Sequence, residues 1–332
     1  MATRNDVAKL AGVSAATVSR VINNIRDVSP ELRERVIKAV DELSYRPNLT
    51  ARGLKLKKSF NIAYLIPDII DPFYTEIFRG INRIASTRGY ICSLIEYTPD
   101  WFENLSSDKI DGIICAVELD DKLKKIIADM HVPVVLQTDR HLRVPFRNCV
   151  VVSHNLYSTM LKAFNYIIDE GHTKIGLIIR KAAGNPKLKA LREVLNSRGI
   201  EFNQGFIEYY SKNDYHYIAG YEAMERLLER KAGVTAVAVQ NDMTAIGAVS
   251  AAVNHGLRVP DDISFLGCDD TVAARFCNPP LSTIKLYKEK QGLELARILL
   301  DMIERRIVMP YEFKAELIIR KSIANIKKEE TK

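Results

Sequence analysis

Residues 6–23 read Asp-Val-Ala-Lys-Leu-Ala-Gly-Val-Ser-Ala-Ala-Thr-Val-Ser-Arg-Val-Ile-Asn, and the grammar of this stretch decides the fold of the head. Asp6 to Ala11 makes a short helix with Val7, Leu10 and Ala11 on one face, and Gly12 stops it. Ser14 caps a second helix that runs from Ala15 through Ile22 to about Asn24. Val18, Val21 and Ile22 follow the i, i+3, i+4 rule and pack on the first helix, which leaves Ala15, Ala16, Ser19 and Arg20 facing outward. Two helices joined by Gly12-Val13-Ser14 form a helix-turn-helix. A third helix starts at Ser29-Pro30, with Ser29 as N-cap, Pro30 at the first helical position and Glu31 in the first turn; Leu32, Val36, Val40 and Leu43 supply its apolar stripe.

Charge gives this head a partner. Residues 1–60 carry 12 Lys and Arg against 6 Asp and Glu, which is +6 of the chain's formal +7. A basic head on a nearly neutral body is the footprint of a nucleic-acid-binding module attached to a second function. With 332 residues, 47% of them hydrophobic, the chain has enough apolar content for two or three domains and is not a disordered tail. No apolar run reaches the ~20 residues of a membrane span, and Met1 to Asp6 leads into no secretory segment. A cytosolic protein without a membrane partner is expected. The five cysteines, Cys92, Cys115, Cys149, Cys268 and Cys277, are scattered without a C-x-x-C, which argues against a disulfide framework or a structural zinc site and for buried free thiols.

Beyond residue 60, apolar strands alternate with amphipathic helices. Strands are expected at 61–66, 90–95, 110–116, 133–137, 149–153, 174–179, 206–210, 234–239, 262–267 and 312–320. Helices are expected at 73–88, 119–130, 155–170, 187–198, 219–231, 242–255 and 288–305. That alternation means parallel sheets with crossover helices, and open α/β sheets of this kind bind ligands at the carboxyl ends of their strands. An enzyme is not expected: G-x-S-x-G, H-E-x-x-H, the P-loop and a G-x-G-x-x-G after a strand are all missing, and the six histidines have no metal-ligand spacing.

The string Asp6-Val7-Ala8, Ala11-Gly12-Val13-Ser14, Thr17-Val18-Ser19-Arg20-Val21 and Asn23, followed by Tyr45-Arg46-Pro47-Asn48 and Ala51-Arg52-Gly53-Leu54, resembles the headpiece and hinge of the LacI/GalR family of bacterial transcription repressors. Asp71-Pro72-Phe73, Asn241-Asp242, Val259-Pro260-Asp261-Asp262-Ile263-Ser264 and Gly267-Cys268-Asp269-Asp270 extend the resemblance along the chain. It implies an α/β protein with a three-helix helix-turn-helix headpiece (1–46), a hinge helix and linker (47–59) and an effector-binding and dimerisation domain (60–332). That domain would comprise two doubly wound subdomains of periplasmic-binding-protein type, about 60–153 with 285–312 and about 154–284 with 313–325. The function implied is repression of a carbohydrate-related operon by a homodimer, and no larger oligomer, on pseudo-palindromic double-stranded operator DNA. A small-molecule effector, a sugar or sugar phosphate, would switch it, with no cofactor and no metal. The alternatives are a body that answers a protein corepressor and a sugar-binding protein without regulation.

In a recognition helix lying in the major groove, Ala15 and Ala16 sit at thymine methyls or simply permit close approach, and the fork of Arg20 matches guanine. Arg26 is open between a base and a phosphate. Ser14, Thr17, Ser19 and Asn23 suit phosphate oxygens. The short segment with Asn48, Ala51, Arg52 and Leu54 is too short to hold as a helix alone; the resemblance pairs it with its copy in the minor groove, where Leu54 is a wedge or else an ordinary linker leucine. For the cleft, the resemblance marks Asp71, Phe73, Asn241, Asp242 and Asp269, while Asp242 and Asp269-Asp270 also read as helix caps. Departures from the family pattern are Asp71 for Asn, His154 for Asp and Lys187 for Arg. His154, Lys187, Arg180 and Lys181 together would make one cationic wall, for an anionic effector; otherwise the pocket has decayed.

Overall fold

A capping box opens the chain's first helix. In the computed structural model Thr3 Oγ1 accepts from the Asp6 amide at 3.3 Å, and the Thr3 amide donates to Asp6 Oδ2 at 2.8 Å. This reciprocal cap starts α1 (Arg4–Ala11) two residues ahead of the expected Asp6. The structure describes residues 2–22, 28–45, 58–98, 109–138, 148–154, 156–181, 184–211, 216–309 and 311–327. Two units divide the chain, Met1–Phe60 and Asn61–Lys332.

In the first unit, α1 is followed by α2 (Ala15–Ile22) and α3 (Pro30–Glu42). Ser14 and Ser29 cap α2 and α3, accepting from the amides of Thr17 and Leu32. The core is Val7, Ala8, Ala11, Val18, Val21, Val36 and Ala39. Leu10, expected inside, is 46% exposed: the buried stripe of α1 centres near Ala11, about 100° of helix turn from Leu10, and the small Ala8 takes the core place. Gly12 adopts φ 61, and Arg35 of α3 donates through Nη2 to the carbonyls of Ala11 at 2.6 Å and Gly12 at 3.4 Å. The turn is thus tied to α3 by a charged donor on the orphan carbonyls of a helix end.

The second unit contains two six-stranded sheets. The elements are β1 (Asn61–Ile66), α4 (Pro72–Thr87), β2 (Ile91–Glu96), β3 (Gly112–Cys115), α5 (Asp121–Asp129), β4 (Val134–Thr138), β5 (Cys149–His154), α6 (Leu156–Asp169), β6 (Ile175–Arg180), α7 (Pro186–Ser197), β7 (Ile207–Tyr210), α8 (His216–Glu229), β8 (Ala236–Val239), α9 (Asp242–Asn254), β9 (Ser264–Asp269), α10 (Val272–Phe276), β10 (Ser282–Lys285), α11 (Lys288–Ile303), β11 (Tyr311–Phe313) and β12 (Glu316–Ile318). Sheet one runs β11-β5-β4-β3-β1-β2 and sheet two β12-β10-β9-β8-β6-β7. Among the described residues every pairing is parallel except β10 with β12, so the crossover helices bury β3, β8 and β9 completely and β1 from its second residue on.

One expectation fails here, and one strand was not expected at all. The single strand 312–320 is two short strands, one in each sheet, because the chain passes between the sheets at Lys314-Ala315. And β10 looks polar in sequence yet is buried: Thr283 Oγ1 donates to Asp242 Oδ1 at 2.6 Å, and the Ser282 amide donates to Ser322 Oγ at 2.7 Å. All five cysteines are free; Cys92, Cys115 and Cys268 are buried, and burial pushes the first two thiols up to about 12.

Candidate functional site

In the headpiece, Ala16 and Arg20 are exposed one turn apart on α2, whereas Ala15 is half-buried against the core. Ser14 spends its hydroxyl oxygen on the α2 cap and lies 2.9 Å from Thr17 Oγ1; Thr17 and Ser19 are half-buried. Asn23, Arg26, Asn48, Ala51, Arg52 and Leu54 lie outside the described residues.

In the second unit the parallel strands of both sheets end on one cavity of about 1020 Å³, at the upper end of the range for small-molecule sites. Its walls are the carboxyl ends of β4, β5 and β9 and residues at or just after the ends of β1, β3, β6, β7 and β8, with Asp71, Phe73, His154, Lys187, Asn241 and Asp269 all on the lining. Asp71 caps α4, its Oδ1 accepting from the Phe73 amide at 2.9 Å. Asn241 caps α9 in the same way through Thr244. Asp269 ends β9 at φ 112 and Asp270 follows at φ 52, two consecutive non-glycine residues in the left-handed region, a strain concentrated at the cavity rim. Lys288 Nζ donates to both of their carbonyls and lies 3.4 Å from Glu76.

Two expected roles change. Asp242 does not line the cavity: Oδ1 accepts from Thr283, and Oδ2 accepts from the Thr271 amide at 2.7 Å and from the Thr271 hydroxyl at 3.1 Å. It ties α9 to β10 and to the loop after β9, and burial lifts its carboxyl to about 6 against those hydrogen bonds. The α9 cap is Asn241, one residue earlier. Lys187 is 1% exposed, and its ammonium donates to the carbonyls of Val239, at 3.3 Å, and Gln240 at the end of β8. His154, Arg180, Lys181 and Lys187 all lie on the cavity lining, but the Lys187 ammonium is spent on backbone carbonyls while Lys181 is exposed. His154 lies against Phe313, ring centroids 5.6 Å apart.

A residue that sequence reasoning passed over sits among these groups. His216, the first residue of α8, holds Nε2 at 3.4 Å from Asp71 Oδ2, 3.7 Å from Asp68 Oδ2 and 3.3 Å from Arg180 Nη2. On its other side Nδ1 lies 3.1 Å from Asn241 Nδ2. Burial pushes the His216 imidazole down while Asp71 pulls it up; burial likewise pushes the Asp71 carboxyl up, opposed by His216. Asp269 is held well above the usual carboxylate range, first by burial and then by Asp242 and Asp71. No local signal marks His216, because Asp71, Arg180 and Asn241 come from three other elements. Tyr210, buried at the end of β7 beside Thr244, was likewise unmarked.

Residues 3–48 match the family model of bacterial regulatory proteins, lacI family, and residues 164–323 the periplasmic binding protein-like domain. The HTH-type transcriptional repressor PurR of Pasteurella multocida is 33% identical over 97% of this chain and 99% of its own length. PurR of Haemophilus influenzae is 32% identical over 98% and 100%. Among solved structures, a lac repressor dimer bound to operator and the anti-inducer ONPF superposes with a TM-score of 0.79 at 28% identity, covering 97% of this chain and 99% of that one. The transcriptional regulator CelR in complex with cellobiose gives 0.72 at 30%, covering 97% and 100%.

Proposed function

The chain belongs to the lacI family of bacterial regulatory proteins, and on that premise we propose how this transcriptional repressor, which is not an enzyme, is switched: a neutral, hydroxyl-rich small molecule binds in the cleft of the second unit and changes the operator affinity of a homodimer. The observation that carries the effector class is the engagement of the Lys187 ammonium by two backbone carbonyls. A phosphate ester would have to draw the Lys187 ammonium from its carbonyls or rely on Arg180 and Lys181, beside the acids Asp68, Asp71 and Asp269, whereas sugar hydroxyls are served by the lining amides Gln137 and Asn241, by those acids and by the faces of Phe73, Tyr74 and Tyr210. CelR with cellobiose supports a carbohydrate; the name PurR of the curated relatives favours a purine as the second reading.

In the headpiece, Arg20 reads a base edge and Ala16 allows close approach, Arg26 sits at a base or a phosphate, and the hinge around Leu54 works in the minor groove of the operator. Self-association is supported by helices α8, α9 and α10, which expose Tyr217, Ile218, Val253, Val272 and Phe276, an amount of apolar side chain that a monomer leaves uncovered at a cost. No described helix is long and apolar enough to cross a membrane, and the proposed operator binding supports a cytoplasmic location.

Titration calorimetry of the full chain with cellobiose, a disaccharide phosphate and a purine base tests the effector class. The neutral sugar is expected to bind at least about tenfold more tightly than its phosphate, ~1.4 kcal/mol. Tighter binding of the phosphate overturns the reading, and tight binding of the purine alone replaces it with the second.

A further inference from the structure

A chain of hydrogen bonds buried around sheet one ends on the cavity. Gln291, fully buried on α11, donates through Nε2 to the carbonyl of Leu286. A carbonyl oxygen only accepts, so this contact fixes which end of the Gln291 carboxamide is which. Its Oε1 then faces Gln137 on β4 and accepts from Gln137 Nε2 at 3.3 Å. That in turn leaves Gln137 Oε1 to accept from the hydroxyl of Tyr64, a fully buried residue of β1, at 3.1 Å. One backbone acceptor thus sets the direction of two carboxamides in series. Gln291 is itself firmly placed: Gly80 and Gly292 let α4 and α11 meet backbone to backbone, where a methyl at either position would overlap the carbonyl of Glu289 or Ile77.

Gln137 brings this chain to the cavity wall, where its neighbours Ala116, Val117, Leu136 and Leu286 are all apolar. A carboxamide offers two donor and two acceptor positions. Tyr64 and Gln291 take one of each, and among the described residues no protein group takes the others. We propose that Gln137 determines effector specificity from the sheet-one wall: its second N–H and second Oε1 position receive two hydroxyls of one sugar ring, one accepting and one donating. Gln291 and Tyr64 are positioning residues that hold the carboxamide in that direction. This assignment rests on the carbohydrate reading of the cleft and names the group that selects the ring. An ionised carboxylate such as Asp68 accepts from any hydroxyl that reaches it, whereas a carboxamide held in one direction asks for an acceptor and a donor at set places. A site built to hydrogen-bond a hydroxyl rejects the analogue that lacks it.

Titration calorimetry of the full chain with cellobiose and its monodeoxy analogues tests this on wild type and on the double variant Gln137→Met with Gln291→Met. The double change removes both amides together, so neither is left facing a lost partner. Wild type is expected to lose roughly tenfold or more in affinity at one or two hydroxyls of one ring. In the double variant those losses should shrink to about twofold or less, while losses at other hydroxyls persist. Gln291→Met alone leaves the Gln137 amide in place without its direction; it should keep cellobiose binding and narrow the same losses, and it decides the matter if the double variant does not fold. Denaturation without ligand reads the chain itself: the double variant should lose less in midpoint than the two single variants summed. Additive midpoint losses overturn the preset direction, and a wild-type pattern of deoxy losses in the folded variants overturns the specificity role alone. A wild type that binds no cellobiose instead overturns the carbohydrate reading, and this assignment with it.

Discussion

Replacing Lys187 by methionine separates a lysine that supports the fold from one that meets a ligand. The ammonium donates to the carbonyls of Val239 and Gln240, and each charge-assisted hydrogen bond to a buried acceptor contributes ~1.5–3 kcal/mol. Losing both would cost ~3–6 kcal/mol if nothing offset it. Methionine keeps most of the apolar stem and removes the cost of burying a cation, an offset of a few kcal/mol. The net expectation is a loss of about 2–4 kcal/mol, because two carbonyls at the end of a central strand are left without a donor. At the ~2–4 °C per kcal/mol usual for a domain of this size, calorimetry should show the melting temperature of the second unit falling by about 4–16 °C. The preference for a neutral sugar over its phosphate should stay as in wild type. If the melting temperature holds while the ratio of sugar to phosphate affinity moves, the ammonium faces the ligand and the reasoning is refuted.

Gly220→Ala places a methyl on the carbonyl of Thr244, so despite better helix propensity it should destabilise by ~1–3 kcal/mol or more as α8 and α9 separate; a denaturant midpoint at or above wild type would contradict the close packing. Arg20→Ala should weaken binding to the specific operator by ~1–3 kcal/mol and leave random DNA nearly unaffected, and equal losses on both would assign Arg20 to phosphate. His172 is buried with Nδ1 3.0 Å from the Thr235 hydroxyl and Nε2 3.1 Å from the Ala324 carbonyl, and burial pushes its pKa below 6.5. The unfolded chain therefore takes that proton first: the contribution of His172 is full above about 6.5 and is lost as pH falls through the lowered folded value. The stability advantage of wild type over His172→Gln should shrink below pH ~6.5, and an advantage constant with pH would show that the imidazole is not held neutral. Asp242, raised to about 6, has the opposite sign, with a contribution lost as pH rises through that value.

What the sequence determined by itself is what near neighbours determine. Caps and helical spacing act within four or five residues, so Ser14, Ser29, Gly12 and the stripe of Val18, Val21 and Ile22 were legible, and so was the order of strands and helices from β1 to β9. The rule that parallel strands present their carboxyl ends to a ligand placed Asp71, Phe73, Asn241 and Asp269 on one cavity. Only the tertiary structure decided which charges were available. Asp242 looks like a cleft acid until Thr271 and Thr283, 29 and 41 residues away, occupy both of its oxygens. Lys187 looks like a cation facing the ligand until the end of β8 takes its ammonium. The polar spelling of β10 hides a buried strand for the same reason, since its hydroxyls find acceptors elsewhere in the chain. A buried polar group is defined by its partner, and partners brought together by a crossover fold lie beyond the reach of periodicity. His216 is the extreme case, a lone histidine in sequence whose contacts join two sheets.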